Sequence, residues 1–157
     1  MDVGLSSDEV VYVQLAPELI RFATGLVGRD DAPDVMSTAF VKAMSSPSWR
    51  SVRDRRAFMY RAVLNEARTW TRRRATRPIR EAAAAWRDAA DEPAAGDTAV
   101  AEAVAALSLR QRAVIVLTYW ADLPPADIAD RLGISEGAVR RHLARARARL
   151  REVLHVD

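Results

Sequence analysis

The chain has 157 residues, half of them apolar, with 24 Lys and Arg against 21 Asp and Glu for a formal net charge of +3. That length holds one ordinary domain or two small helical ones, and the apolar half excludes a chain disordered throughout. Cysteine is absent, which excludes disulfides, thiol catalysis and cysteine-ligated zinc; His142 and His155 are too few and too far apart to make a metal site, and no metal or cofactor is expected.

Charge is distributed unevenly. Asp2, Asp8, Glu9 and Glu18 make the beginning acidic, while arginine concentrates in Arg68–Arg80 and Arg140–Arg151. Two separate basic blocks predict two separate contacts with nucleic acid. No apolar run approaches the roughly 20 residues that span a bilayer. The start MDVGLSSDEV has neither a basic n-region nor an apolar core, so no membrane segment and a cytoplasmic location are expected.

In chain order, residues 9 to about 27 space their apolar side chains for a helix, with Pro17 as a start or kink. Gly28 and the polar RDDAPD break it. Asp34–Met44 reads as a second helix with Val35, Ala39, Phe40 and Ala43 on one side. Ser45–Asp54 has the Ser, Pro and Arg of a loop. A third helix starts near Arg55 and runs through AFMYRAVLNEARTWTRRR, with Phe58, Val63 or Ala62, and Ala67 as core positions. From Ala75 to about Asp97, Pro78, Pro93, Gly96 and an alanine run suggest a linker, within which EAAAAWRDAA has helical character. Two further helices follow, split near Leu107–Leu109.

The most informative stretch is PPADIADRLGISEGAVRRHLARARARL, Pro124 to Leu150. Ile128, Ala129 and Leu132 line a short helix that stops at Gly133, where a left-handed backbone costs glycine little. Ser135 can cap the next helix by accepting a bond from an orphan backbone N–H. At about 100° per residue Val139, Leu143, Ala146 and Leu150 fall within a stripe about 60° wide. Arg140, Arg141, Arg145, Arg147, Arg149 and Arg151 take most of the remaining circumference. A narrow apolar seam under a guanidinium-clad helix predicts a helix-turn-helix whose second helix meets DNA. Arginine richness alone has a simpler source in a GC-rich genome, consistent with Lys42 being the one lysine among 24 basic residues; the turn glycine, the cap and the seam carry the argument.

The third helix adds Arg61, Asn65, Arg68, Arg72, Arg73 and Arg74, with Tyr60 and Trp70 among them. Arginines interleaved with aromatics suit phosphate contact and base stacking on a partly opened strand, and Trp49 and Arg50 in the preceding loop are candidates to join them. The plainer alternative makes Tyr60 and Trp70 core or rim aromatics. Asn65 is more telling, since an amide is a middling helix former that can bond a base edge bidentately.

Taken together, these pieces resemble a bacterial extracytoplasmic-function (ECF) sigma factor of the sigma-70 family, over about Val11 to Leu154. DDAPDVMSTAFVKA looks like that family's clamp-binding helix, with Asp34, Val35, Ala39 and Phe40 in corresponding positions. RAFMYRAVLNEART looks like its −10 helix, matching at Tyr60, Arg61 and Asn65. The stretch from Leu107 to Leu150 fits the region 4 pattern at Leu107, Arg112, Leu117, Ile128, Ala129, Leu132, Gly133, Gly137, Val139, Arg145 and Ala146. The chain departs from the family at Met36 and Ser37, where a glutamine is usual, at Phe58 for tryptophan, at Thr69 for aspartate, and at Ser108 for proline.

The resemblance implies an all-α protein with sigma region 2 at 9–76, a flexible linker at 77–98 and a region 4 helix-turn-helix at 99–155. It implies a promoter-specificity subunit without catalytic residues, whose partners are core RNA polymerase, promoter DNA and an anti-sigma factor. Ser135, Glu136, Arg140, Arg141 and Arg145 would meet the −35 element. Arg61, Asn65, Trp70, Arg72 and Arg73 would meet the −10 element, and Asp34, Val35, Phe40 and Lys42 the polymerase. A stand-alone regulator binding a palindrome as a dimer would have no reason to carry Asp34–Lys42 and Tyr60–Arg74. A nucleic-acid-modifying enzyme lacks any candidate catalytic grouping.

Overall fold

The computed structural model describes residues 4, 6–74 and 97–155, and the helical character expected for EAAAAWRDAA lies outside them. Among the described residues there are seven helices and no strand. In the first half α1 spans Ser7–Val27, α2 Ala32–Ser45 and α3 Arg55–Arg73. In the second half α4 spans Asp97–Ala105, α5 Leu109–Tyr119, α6 Pro125–Leu132 and α7 Glu136–Leu154.

Capping explains most of the starts. Ser6 accepts from the Glu9 backbone N–H while the Glu9 carboxylate accepts from that of Ser6, and Ser108 and Gln111 repeat this reciprocal arrangement at α5. Each satisfies two N–H groups that a helix start leaves orphaned. Asp54 and Ser135 cap α3 and α7 through Ala57 and Ala138. Pro17 lies inside α1 rather than at its start. Its missing N–H deprives the Val13 carbonyl, and Val13 is exposed, so water can take that acceptor's place.

α1 corrects the expectation about apolar runs. Its 21 residues include an 18-residue stretch with a mean hydropathy of 1.3, long and apolar enough, by length and composition, to cross a membrane. Here its apolar side is a core face: Leu15, Leu19, Phe22, Ala23 and Leu26 pack on α2 and α3. Fully burying a Leu or Phe contributes about 1.5–3 kcal/mol. Val63, not Ala62, is the fully buried member of that pair in α3, joined by Met59, Tyr60 and Leu64, while Phe58 is only half-buried.

The two halves are in contact through α1 with α5 and α3 with α6, and one continuous apolar core runs across both. Gly25 of α1 sits so close to α5 that a Cβ on it would lie 2.7 Å from Val116 Cγ2. Arg112, at the same junction, donates from Nη1 to the Leu26 carbonyl and from Nη2 to those of Ala105 at 2.7 Å and Leu107 at 3.1 Å.

Candidate nucleic-acid interface

α6 and α7 form the expected helix-turn-helix. Gly133 adopts φ 66° and ψ 38°, the left-handed conformation that lets the chain leave α6 within one residue. Ser135 then caps α7 by accepting from the Ala138 N–H at 3.1 Å. Val139, Leu143 and Ala146 are buried beneath α7 and Leu150 is half-buried, as the seam requires. Ser135, Glu136, Arg140, Arg141 and Arg145 are all exposed at the start and middle of the helix. Arg140 pairs with Glu136 one turn earlier at 3.1 Å, a surface contact of about 0–1 kcal/mol that arriving DNA can displace. Arg147 is occupied differently: its Nε donates to the Tyr119 hydroxyl at 2.8 Å. Arg110, Arg141 and Arg145 surround the half-buried His142, and burial together with their charge holds its imidazole below the usual range, so near neutrality it adds no charge.

α3 carries the second basic surface. Arg61, Asn65, Arg72 and Arg73 are exposed. Arg61 and Asn65, one turn apart, line a groove of about 440 Å³ between α2 and α3 with Lys42, Ser46, Phe58 and Thr69. Arg61 is not idle, for its Nη2 donates to the Asp130 carbonyl of α6 at 3.0 Å. Trp70 is half-buried, and Arg74 covers one ring face at 4.7 Å while pairing with Asp31 at 3.3 Å. A base could use that face of Trp70 only if Arg74 left it.

Two aromatics of the first half, Trp49 and Tyr60, are core rather than surface. Trp49 is 1% exposed, packs edge-on against Phe40 and Phe58, and donates from Nε1 to Asp8 at 2.9 Å. It anchors the 46–54 loop and presents no free face for stacking. Tyr60 is buried with its hydroxyl donating to Glu18 at 2.9 Å, and burial pushes its phenol well above the usual range. Arg131 of α6 lies over its ring at 5.2 Å.

The strip on α2 also divides. Asp34 is exposed in the first turn, but Val35 and Phe40 are buried among α1 and α3 and are removed from the docking surface. Their spacing marked the apolar stripe correctly, and the core rather than a partner occupies it. Lys42 is spoken for as well: Nζ meets the buried Glu66 carboxylate at 2.6 Å, an ion pair that compensates a charge otherwise costly to bury. Exposed apolar side chains on α2 are Val41 and Met44, outside the stripe that sequence singled out. Among the described residues no group of three or more His, Asp or Glu side chains gathers as a metal would require.

Two exposed arginine-bearing helices, one in a capped helix-turn-helix, define a DNA-binding protein of two helical modules. Residues 11–77 match the family model for sigma-70 region 2, and residues 97–150 that for sigma-70 region 4. The chain is 32% identical to the RNA polymerase sigma-E factor of Streptomyces coelicolor over 87% of this chain and 79% of that one. It is likewise 32% identical to the sigma-E factor of Streptomyces antibioticus, over 96% and 85%. Among solved structures, CnrH bound to the cytosolic domain of CnrY superposes with a TM-score of 0.65 at 26% identity, covering 96% of this chain and 88% of that one. The sigma factor RpoE of Bartonella quintana, bound to the anti-sigma factor NepR, shares the fold with a TM-score of 0.67 at 24% identity, covering 98% and 99%. The chain belongs to the sigma-70 family, in its ECF group of RNA polymerase sigma factors, which direct transcription initiation at promoters.

Proposed function

We propose that α3 and α7 divide the promoter between them, with the module at 9–76 holding the −10 element, the module at 99–155 reading the −35 element, and residues 77–98 tethering the two. The observation that carries this reading is the capped α6–turn–α7 unit, whose exposed arginine face lies over a buried apolar seam. Arg61 and Asn65 are assigned to base readout, Arg72 and Arg73 to the phosphate backbone, and Trp70 to stacking after Arg74 moves away. Sigma factors are initiation factors rather than catalysts, and this one works in the cytoplasm with the polymerase. An anti-sigma factor is a further partner, a reading supported by the bound partners of RpoE and CnrH. Co-purification with core polymerase and promoter-directed run-off transcription test the whole reading, and failure of both would refute it.

In the second module, Ser135, Glu136, Arg140 and Arg141 occupy the part of a recognition helix that reaches base edges in the major groove. Arg140→Ala or Arg141→Ala should weaken −35 binding by about 1–3 kcal/mol and relax specificity where the arginine reads a guanine. Arg145→Ala, a turn further on, should weaken all sequences alike as a phosphate contact does. Electrophoretic mobility shifts on mutated −35 duplexes distinguish the two patterns; an unchanged −35 preference in the double variant would remove the assignment.

Polymerase docking rests on Asp34, because burial takes Val35 and Phe40 away and Glu66 engages Lys42. Asp34→Arg should impair holoenzyme assembly in gel filtration with core enzyme. The same change places positive charge at a helix N-terminus, a cost of about 0.3–1 kcal/mol, so Asp34→Asn serves as the stability control. Normal assembly of the arginine variant would move docking elsewhere on the module.

A further inference from the structure

We propose that the pocket where α1, α3, α5 and α6 meet is a binding site for a small aromatic carboxylate, its acid group held by Arg21 and Arg131 and its ring by an apolar floor. The pocket encloses about 190 Å³. An apolar cavity of about 150 Å³ takes one benzene ring, so this one has room for a single ring and a substituent the size of a carboxylate. Phe22, Val116 and Leu117 are buried core residues that form its floor. Trp120 stands at the rim, 46% exposed, a large aromatic that the folded chain leaves half in water. Offset or edge contact with Phe22 and Trp120 favours a flat ring over an aliphatic group of equal size.

Charge decides the rest. The ionisable side chains lining the pocket are Glu18, Arg21, Tyr60 and Arg131. Glu18 is fully engaged: Arg56 Nε pairs with its Oε1 at 2.9 Å, and the Tyr60 hydroxyl donates to its Oε2 at 2.9 Å. Burial pushes the Tyr60 phenol well above its usual range, so it contributes no negative charge. Arg131 lies over the Tyr60 ring at 5.2 Å, and among the described residues neither it nor Arg21 pairs with a carboxylate. Two guanidiniums thus line an apolar hollow with no anion of their own. Each presents parallel N–H donors that match both oxygens of a carboxylate. Apolar walls with a few convergent polar groups are the usual form of a small-molecule site. Arg21 belongs to α1 and Arg131 to α6, so the occupant bridges the two halves.

Benzoate is the probe, titrated into the full-length, isotope-labelled protein and followed by NMR at the indole N–H signals of its four tryptophans. Trp120→Phe assigns the signal of interest. Benzoate should move the Trp120 signal and leave that of Trp49, which is buried and bonded to Asp8. Arg21→Ala should weaken binding about tenfold, the loss expected for one charge-assisted contact. Arg21→Lys should recover part of that loss, because the charge returns without the fork. Benzamide keeps the shape without the charge and should bind about tenfold more weakly. Acetate keeps the charge without the ring and should not compete at equal concentration. An unmoved Trp120 signal, benzamide binding equal to benzoate, displacement by equimolar acetate, or unchanged affinity in Arg21→Ala would each overturn the site.

A blocking variant guards against loss of binding through misfolding. Ala121 is exposed on the pocket wall, so Ala121→Trp should fill the hollow without entering the core. At unchanged helical content by circular dichroism it should abolish the benzoate response. Binding that survives both Ala121→Trp and Arg131→Ala would place benzoate on surface arginines elsewhere and refute the proposal.

Discussion

Arg112→Ala is expected to lower the thermal midpoint of this protein by roughly 4–16 °C. The side chain is mostly buried, and burial pushes its guanidinium down to about 10, still well above neutrality, so it is a cation in the folded protein. Its acceptors are three backbone carbonyls, those of Leu26, Ala105 and Leu107. Two of these lie at or near the ends of α1 and α4, where helix carbonyls lack N–H partners and the dipole favours positive charge. Hydrogen bonds from a charged donor contribute about 1.5–3 kcal/mol each, and shared donors and relaxation reduce the sum. A loss of about 2–4 kcal/mol follows. In a 157-residue chain with one shared core each kcal/mol shifts the midpoint by about 2–4 °C. Arg112→Lys should recover only part of the loss, because one ammonium cannot reproduce the fork. Scanning calorimetry provides the check, and an unshifted alanine variant would show that the clamp contributes nothing.

Asn65→Ala is expected to slow promoter opening roughly 10–100-fold, equivalent to the 1–3 kcal/mol of one bidentate base contact. Asn65 is exposed beside the groove shared with Arg61, and only its backbone carbonyl is engaged, by the Thr69 hydroxyl. Truncating the amide therefore removes a base contact without breaking a structural one. Core polymerase binding should be unaffected. A pre-melted template should bypass the part of the defect that comes from unstacking a base, a few kcal/mol in itself, and leave only the lost edge contact. Permanganate footprinting reads opening directly. Wild-type opening rates for Asn65→Ala, Arg61→Ala and Trp70→Ala would reduce α3 to a solvated basic face.

The helix-turn-helix was legible because its signals are local. Gly133, Ser135 and the Val139–Leu150 stripe act within a few residues of one another, and each has one backbone or packing role. The helices of the first half were legible from periodicity for the same reason. Periodicity locates an apolar face but does not identify what covers it, which is why Val35 and Phe40 could be read as a docking strip and are instead core. Trp49 sits among loop residues, and its packing partners Asp8, Phe40 and Phe58 arrive from three different helices. Glu66 looks like an ordinary surface carboxylate until Lys42 is found 24 positions earlier. No sequence window brings Gly25 near Val116 or Arg61 near Asp130. Contact between the halves depends on such distant pairs, so it was invisible from the chain alone.

The acceptors for Arg61 and Arg112 across that contact, at Asp130 and Leu26, are main-chain oxygens. Every amino acid supplies an identical carbonyl, so substitution at positions 26 or 130 leaves the acceptor in place wherever the helix persists. Sequence drift on the receiving sides is thus neutral for these bonds, whereas Arg61, Arg112 and Gly25, which admits the close approach, have no substitutes.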